Sequence, residues 1–282
     1  DAFEAALAGR VGENSMLSHD LFEGVFARAG LASDVEVVEE FPSRYDVAGK
    51  RQHRWTRGDW QLLPFLLRPA AWPMHAVNRW KMADNLRRSL LAPASLLLLW
   101  LSFAGVSLPL AATLAVVLAA HMAAPLMGAL AGGVPARFGL VGLRFAHAAG
   151  ADVLRALASG VWHLALLPQQ AWLMTDAVVR TVHRQAASRL NLLQWTTAET
   201  AQNNLVTRLG PTLRRHTLAP WLALATAAVL WAWGGDSVPP ALAWPVLALW
   251  ALAPLLVWGA NAARQGGSAQ ALTAPDRLLL EG

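Results

Sequence analysis

The sequence predicts a mainly α-helical membrane protein headed by a short polar region, and three observations carry that expectation. Of its 282 residues 55% are hydrophobic and 15% charged, whereas soluble domains carry about 25% charged residues. No Asp, Glu, Lys or Arg occurs from Ser89 to Ala136, enough chain for two bilayer spans of about 20 residues each. Twelve of the 18 acids and twelve of the 23 bases precede residue 89, so the solvent changes along the chain. This pattern excludes disordered, collagenous and disulfide-stapled classes and weighs against a simple soluble enzyme. The chain has no cysteine, so it has neither a disulfide nor a thiolate metal site, and the redox compartment stays open. The net charge of +5 arises mostly in the later, apolar part. The basic cluster of the head is diluted by acids, so no nucleic-acid partner is expected.

In chain order, Ser18, His19 and Asp20 open a helical pattern with Phe22, Val25, Phe26 and Ala29 at i, i+3, i+4 and i+7, closed by Gly30. Asp20 and Glu23 have the spacing of a capping box. Asp34 to Val38 alternates as a short strand that Pro42 stops. Lys50 to Trp60 then reads as a helix on which Arg51, Arg54 and Trp55 share a face. Residues 1–68 form the polar head and 69–88 an interfacial helix. A transmembrane hairpin at 89–131 follows, with spans Leu90–Val106 and Leu110–Leu130 about a turn at Ser107, Leu108 and Pro109. Amphipathic cytoplasmic or interfacial helices occupy 132–216. A second hairpin at 217–260 places Leu218–Trp233 and Ala241–Ala260 about a Pro/Gly-rich loop, and 261–282 is a linker.

Charge sets the orientation. Residues 137–215 hold nine arginines against three acids, and Lys81, Arg87 and Arg88 precede the first span. The positive-inside tendency puts all of these in the cytoplasm. A crossing by the charge-free stretch Ala156–Thr175 would leave six of the nine arginines opposite the other three. An interfacial or re-entrant segment, interrupted at Pro168, is therefore favoured. Trp72, Trp80, Trp231, Trp233 and Trp258 fall near predicted span ends, where indoles favour the headgroup layer. His121 is the polar residue expected inside a span, as a helix-packing contact.

The chemistry-bearing residues lie in the head. Asp20 reads first as a helix cap; a carboxylate at a helix N-terminus can equally stay ionised and accept a proton from a hydroxyl nucleophile. His19 could tune it or be structural. The Arg51, Arg54, Trp55 face suits a sugar nucleotide, because guanidinium forks match diphosphate oxygens and an indole covers a pyranose face. A basic amphipathic helix on a membrane surface is the alternative.

The order of Leu17-Ser18-His19-Asp20-Leu21-Phe22-Glu23-Gly24, Phe41-Pro42-Ser43-Arg44-Tyr45, Arg51-Gln52-His53-Arg54-Trp55-Thr56-Arg57-Gly58-Asp59-Trp60-Gln61 and then membrane spans resembles the processive membrane glycosyltransferases of the cellulose synthase type. Within that group it is most similar to the bacterial cyclic β-1,2-glucan synthases. Arg79 to Leu90, Leu167 to Trp172 and Gln194 to Ala198 extend the likeness. The resemblance implies that residues 1–68 are the C-terminal part of a GT-A-like α/β domain, followed by transmembrane and interfacial helices. It implies Asp20 as general base with His19 beside it, and Arg51, Gln52, Arg54, Trp55, Gly58 and Asp59 as donor-diphosphate and acceptor residues. Asp59 is expected to orient an arginine.

The implied reaction is inverting transfer of glucose from UDP-glucose to a growing β-1,2-glucan at the bacterial inner membrane, with the motifs cytoplasmic. The implied partners are UDP-glucose, the glucan acceptor, the bilayer and the remainder of a larger synthase. A divalent metal, Mg or Mn, is expected through an upstream aspartate motif that this chain lacks, so the chain is expected to be a fragment inactive alone. Two rivals remain: another processive synthase making cellulose, chitin, hyaluronan or a linear glucan, and a non-catalytic membrane subunit of an export complex.

Overall fold

The computed structural model describes residues 2–10, 16–18, 20–28, 30, 32–37, 44–133, 142–197, 200–201, 208–233 and 238–262. His19, the Phe41 to Ser43 triplet, the loop residues 234–237 and the tail 263–282 lie outside them. The described elements are helices α1 (Ala2–Leu7), α2 (Asp20–Glu23), α3 (Tyr45–Gln61), α4 (Leu63–Leu67), α5 (Ala76–Phe103), α6 (Leu110–Gly132), α7 (Leu143–Ala165), α8 (Leu167–His183), α9 (Leu209–Arg215), α10 (Leu218–Trp233) and α11 (Pro240–Ala262). A π-helical turn at Gly24–Arg28 prolongs α2. Among the described residues there is no strand, which corrects the expectation for Asp34 to Val37, while Val38 lies outside the described residues. Asp34 to Val37 run without a pairing neighbour, and Val35 and Val37 are 64% and 77% exposed. Alternation of apolar residues makes a strand only where another strand completes its hydrogen bonds.

Three described helices are long and apolar enough to cross a membrane, namely α5, α6 and α11, and Leu218–Ala232 is a shorter apolar helix. The chain is a membrane protein in this sense. The anticipated interfacial helix and first span are one continuous 28-residue helix, α5. It ends in a left-handed turn at Gly105, φ +71°. There Val106 N–H reaches Leu101 O at 3.0 Å and Gly105 N–H reaches Ser102 O at 3.0 Å, which satisfies the last carbonyls of the helix. Ser102 Oγ donates to Leu108 O at 2.9 Å and so closes the tight connection to α6. Helix α6 packs on α5 and α7, and Gly160 of α7 stands where any Cβ would collide with Met122.

The main core draws on α5 (Leu96, Leu99, Phe103), α6 (Leu110, Val117), the α7–α8 junction (Leu164, Leu166, Leu167), α10 and α11 (Val246, Trp250, Val257). Its centre explains the helix break that the charge-free stretch contains. Pro168 has no N–H, so the carbonyl of Leu164, four residues back, loses its helical donor. The indole of Trp250, 0% exposed, replaces it: Nε1–H donates to Leu164 O at 3.0 Å. Phe103 meets the same ring edge-on at 6.3 Å. Helix α8 leaves this junction along α5 and α3.

A second core, Met16, Phe22, Leu62, Phe65 and Met82, holds α2 against α4 and α5. Phe22 packs at 4.7 Å from Phe26 and 5.1 Å from Phe65. Trp72, read above as interfacial, packs on Phe65 at 4.8 Å. Trp80 and Trp231 are exposed, as indoles anchored in headgroups would be.

Replacing Trp250 by Phe keeps an apolar ring and removes the donor to Leu164. The expected loss is about 1–3 kcal/mol, the cost of a buried carbonyl left unmade, read as a lower thermal midpoint of the purified protein in detergent. A midpoint equal to that of the parent would remove this bond from the account.

Candidate functional site

Helix α3 carries the arginine motif, and its first turn is held by the far end of the chain. Asn261, at the end of α11 and 0% exposed, accepts the Tyr45 N–H on Oδ1 at 3.1 Å. Its carbonyl accepts from the Arg44 guanidinium at 2.6 Å. An amide oxygen on a first-turn N–H is a helix cap, supplied here from 216 residues away. Asp46 in the same turn accepts from His216 Nε2 at 2.9 Å and pairs with Arg215 at 3.4 Å. Burial pushes the Asp46 carboxyl up, but the bonds from His216 and Arg215 outweigh it and hold the group below its ordinary value. The Tyr45 hydroxyl is pushed well above its usual range by burial and by Asp46.

The predicted site residues divide between faces of α3. Arg51 lies over the Trp55 ring, 4.2 Å from its centroid, while Arg54 lies over Trp195 at 4.4 Å. Gln52 is exposed. Gly58 is buried against the segment that leads to Asp20: a Cβ there would stand 2.6 Å from Ser18 Cβ and 3.1 Å from Ser18 N. One turn on, Gln61 Oε1 accepts the Leu17 N–H at 2.7 Å. The residues two and three places before Asp20 are therefore seated directly on the motif helix. Asp20 begins α2, exposed, with Phe22 beneath it in the second core. Asp59 accepts from Asn85 Nδ2 at 2.8 Å rather than from an arginine, and Asn85 in turn accepts from Arg88. Burial raises the Asp59 carboxyl, with Asn85 and Arg88 opposing.

On another face, α3 and α8 enclose a cleft of about 580 Å³ lined by Lys50, His53, Arg54, Arg57, Trp172, Asp176, Arg180, Trp195 and their neighbours. His53 and Asp176 meet at 2.8 Å, and Arg180 grips the same carboxylate at 2.7 and 3.2 Å. An ionised Asp176 only accepts, so His53 carries its proton on Nε2. Burial draws the Asp176 carboxyl up, yet the bonds from Arg180 and His53 bring it below the ordinary value. His53 is pushed down by burial, with Arg57 and Arg180 adding to the effect and Asp176 opposing it. Arg57, 4% exposed, donates to the carbonyls of Gln194 at 2.6 Å, Leu192 at 3.1 Å and Asn191 at 3.5 Å. Gln61 Nε2 adds a bond to Leu192 O at 3.2 Å. These bonds fix a loop in which Arg189 and Asn191 hold positive φ, 51° and 56°, and they present Trp195 to Arg54.

Reading residue by residue missed His53, Arg57, Gln61, Asp46, Asp176 and His216. One signal was available: Asp46, Lys50, His53 and Arg57 recur at i, i+4, i+7 and i+11, a polar stripe that implies a polar neighbour on that face. Among the described residues no three metal-ligating side chains converge. This donor set does not fit a divalent metal.

No family model matches the chain. Over 264 residues, 92% of its length, it is 38% identical to the curated cyclic beta-(1,2)-glucan synthase NdvB of Rhizobium meliloti (strain 1021). The resemblance drawn from the two motifs is thereby shown at the level of sequence. The chain spans about 9% of the length of that relative.

Acid should loosen the α3–α8 contact. His53 is neutral in the fold with a lowered pKa, so its contribution is complete above the unfolded value of about 6.5 and is lost as pH falls below it. Amide protection factors of α3 and α8, taken relative to the intrinsic exchange rate at each pH, should fall between neutral pH and about pH 5.5 in the parent and much less in His53→Gln. Equal pH dependence in both would exclude His53 as the sensitive group.

Proposed function

We propose that this chain is the membrane-proximal part of a glucan synthase that transfers glucose, with inversion, from UDP-glucose to a hydroxyl of a growing β-1,2-glucan. The observation that carries the reading is the seat of Ser18 on Gly58. It sets the approach to Asp20 at a defined height on the helix of Arg51, Arg54 and Trp55, in a chain 38% identical to a cyclic glucan synthase. The resemblance of the two motifs adds UDP as donor and the cytoplasmic face of the inner membrane as the place.

In the reaction, Asp20 takes the proton from the acceptor hydroxyl as that oxygen attacks the anomeric carbon, and the bond to the UDP oxygen breaks with its electrons leaving on the diphosphate. Exposure of Asp20 suits a base that must meet a mobile sugar chain. Arg51 and Arg54 offset the charge developing on the diphosphate, each already oriented by an indole. Arg51 over Trp55 makes a cation-backed platform on which an acceptor ring can lie. Gly58 and Asp59 position: one by clearance under Ser18, the other by tying α3 to Asn85 of α5. His19 assists Asp20. A divalent metal, Mg or Mn, would be held by acidic groups other than these, since no three metal-ligating side chains converge among the described residues.

Asp20→Asn in the intact protein should abolish incorporation of labelled glucose from UDP-glucose while membrane insertion persists; polymerisation at the parental rate would take Asp20 out of the role of base. Gly58→Ala leaves every proposed contact group in place and pushes Ser18 away. It should lower turnover about tenfold or more, as misplacement by about 1 Å does, with UDP affinity little changed. Unchanged turnover would show that the approach to Asp20 is not set at Gly58.

A further inference from the structure

The cleft between α3 and α8 carries an excess of positive charge. Six Lys and Arg side chains line it against two carboxylates, Asp46 and Asp176. Arg180 and Arg215 pair with those carboxylates. Arg57 and Arg184 are bonded to carbonyl and amide oxygens of residues 191–194, which carry no net charge, and Arg54 lies on the neutral ring of Trp195. Lys50 has no hydrogen-bond or ion-pair partner among the described residues. Four of the six cations therefore lack a counter-charge. A cleft lined by one sign of charge concentrates the opposite ion, so an anion is the ligand that this lining suits.

The start of α3 sets this lining at the edge of the apolar bundle. Tyr45, its first residue, is bonded to Asn261 at the end of α11, a helix long and apolar enough to cross a membrane. Lys50 lies at most about 7.5 Å further along the helix axis, within reach of a headgroup layer about 5–7 Å deep. Asp46, one turn before Lys50, holds Arg215 at 3.4 Å, and Arg215 closes α9 three residues before the apolar helix α10. Trp172 adds an indole that is 60% exposed, the side chain that favours the headgroup layer. Beside these groups stand two buried polar atoms without a hydrogen-bond partner among the described residues, Gln169 Oε1 and His216 Nδ1. Both residues line the cleft, and His216 is 4% exposed. Unmade bonds of this kind are rare in folded proteins.

We infer that the membrane end of the cleft, at Lys50, Arg215 and Trp172, binds the phosphate headgroup of an anionic glycerophospholipid. The phosphate supplies counter-charge that the lining lacks, and headgroup hydroxyls offer donors to Gln169 Oε1 and His216 Nδ1. The acyl chains then lie along α10, where Trp221 and Leu224 are exposed. A phosphate free in solution shares the charge but has no chain to anchor, and the position of Lys50 and Arg215 beside α10 and α11 favours the lipid. Since Lys50 stands one turn before Arg54, a lipid seated there also adjoins the helix that carries the arginine motif.

The test titrates labelled dioctanoylphosphatidylglycerol against the intact protein in a neutral detergent, with binding read by scintillation proximity. The lipid should bind saturably and be displaced by its unlabelled form, but not by dioctanoylphosphatidylcholine, inorganic phosphate or UDP. Lys50→Gln removes a charge that leaves no partner behind, so the thermal midpoint should hold while Kd rises about fivefold, the worth of one basic side chain at an anionic lipid surface. Lys50→Arg keeps the charge and should bind as the parent does. Arg215→Gln should weaken binding similarly; if the loss of its pair with Asp46 unfolds the protein, Lys50→Gln decides alone. Lys81→Gln, at an exposed lysine of α5 outside the cleft, should leave Kd unchanged. A Kd unaltered in Lys50→Gln overturns the inference, and so does an equal rise in Lys81→Gln, which would show diffuse attraction to a basic surface. Displacement by inorganic phosphate or by UDP overturns it too, by showing that the cleft takes a soluble anion.

Discussion

The indole of Trp250 on the Leu164 carbonyl is the bond around which the rest is arranged. Proline at 168 forces the carbonyl at 164 to find another donor, and in an apolar bundle the alternative is a buried unmade bond. With Trp250 supplying that donor, the chain stops α7 and starts α8 within a single residue, Leu166, while keeping the corner at the centre of the core. Because α8 departs from that corner, Trp172, Asp176 and Arg180 come to lie opposite α3. The same helix α11 that donates the indole ends at Asn261, which caps α3. One membrane helix thus fixes both walls of the cleft, one at its middle and the other at its end.

Helix α3 is where the polar head and the apolar bundle meet, and its composition shows how that is achieved. A helix with arginines at 51, 54 and 57 would ordinarily stay in solvent. Arg57 is 4% exposed because three loop carbonyls receive its donors, and Arg51 and Arg54 each lie on an indole. Buried cations persist only with such partners. The bonds that make burial affordable also fix geometry: loop 191–194 is placed by Arg57 and Gln61, the approach to Asp20 by Gln61 and Gly58. Gln61 links the two, accepting from Leu17 and donating to Leu192.

What could be read from the sequence followed from local rules. The charge-free stretch marked the first apolar hairpin, the glycine and proline signals marked its turn, and the spacing of Arg51, Arg54 and Trp55 placed them on one helix. The start of α5 at Ala76 was less legible, because Lys81 to Arg88 are polar and the apolar pattern begins only after them; a helix crosses such a boundary without changing its hydrogen bonds. Asp34 to Val37 show the converse error, a local alternation with no neighbour to use it. The cleft was hidden for another reason. His53 and Asp176 are 123 residues apart and Tyr45 and Asn261 216, and no local pattern pairs them. Asp59 reaches an arginine, Arg88, only through Asn85, and that relay was not legible because Asn85 lies on the helix expected to be a separate interfacial element.

The polar file inside the bundle follows the same logic as the corner at Leu164. Ser95 of α5 meets His121 of α6 at 3.3 Å, His121 stacks on His163 of α7 at 5.3 Å, and His163 meets Gln170 of α8 at 3.3 Å. Four helices contribute one side chain each. In apolar surroundings helices slide with little penalty, since one leucine replaces another, but a polar group that loses its partner there is expensive. A single file of matched polar groups therefore selects one register of α5, α6, α7 and α8 over its neighbours. Gln170 adjoins Gln169 in the cleft lining, so the register that satisfies His121 and His163 is also the one that sets α8 against α3. The packing role expected of His121 is in this way the means by which apolar helices hold a polar cleft in place.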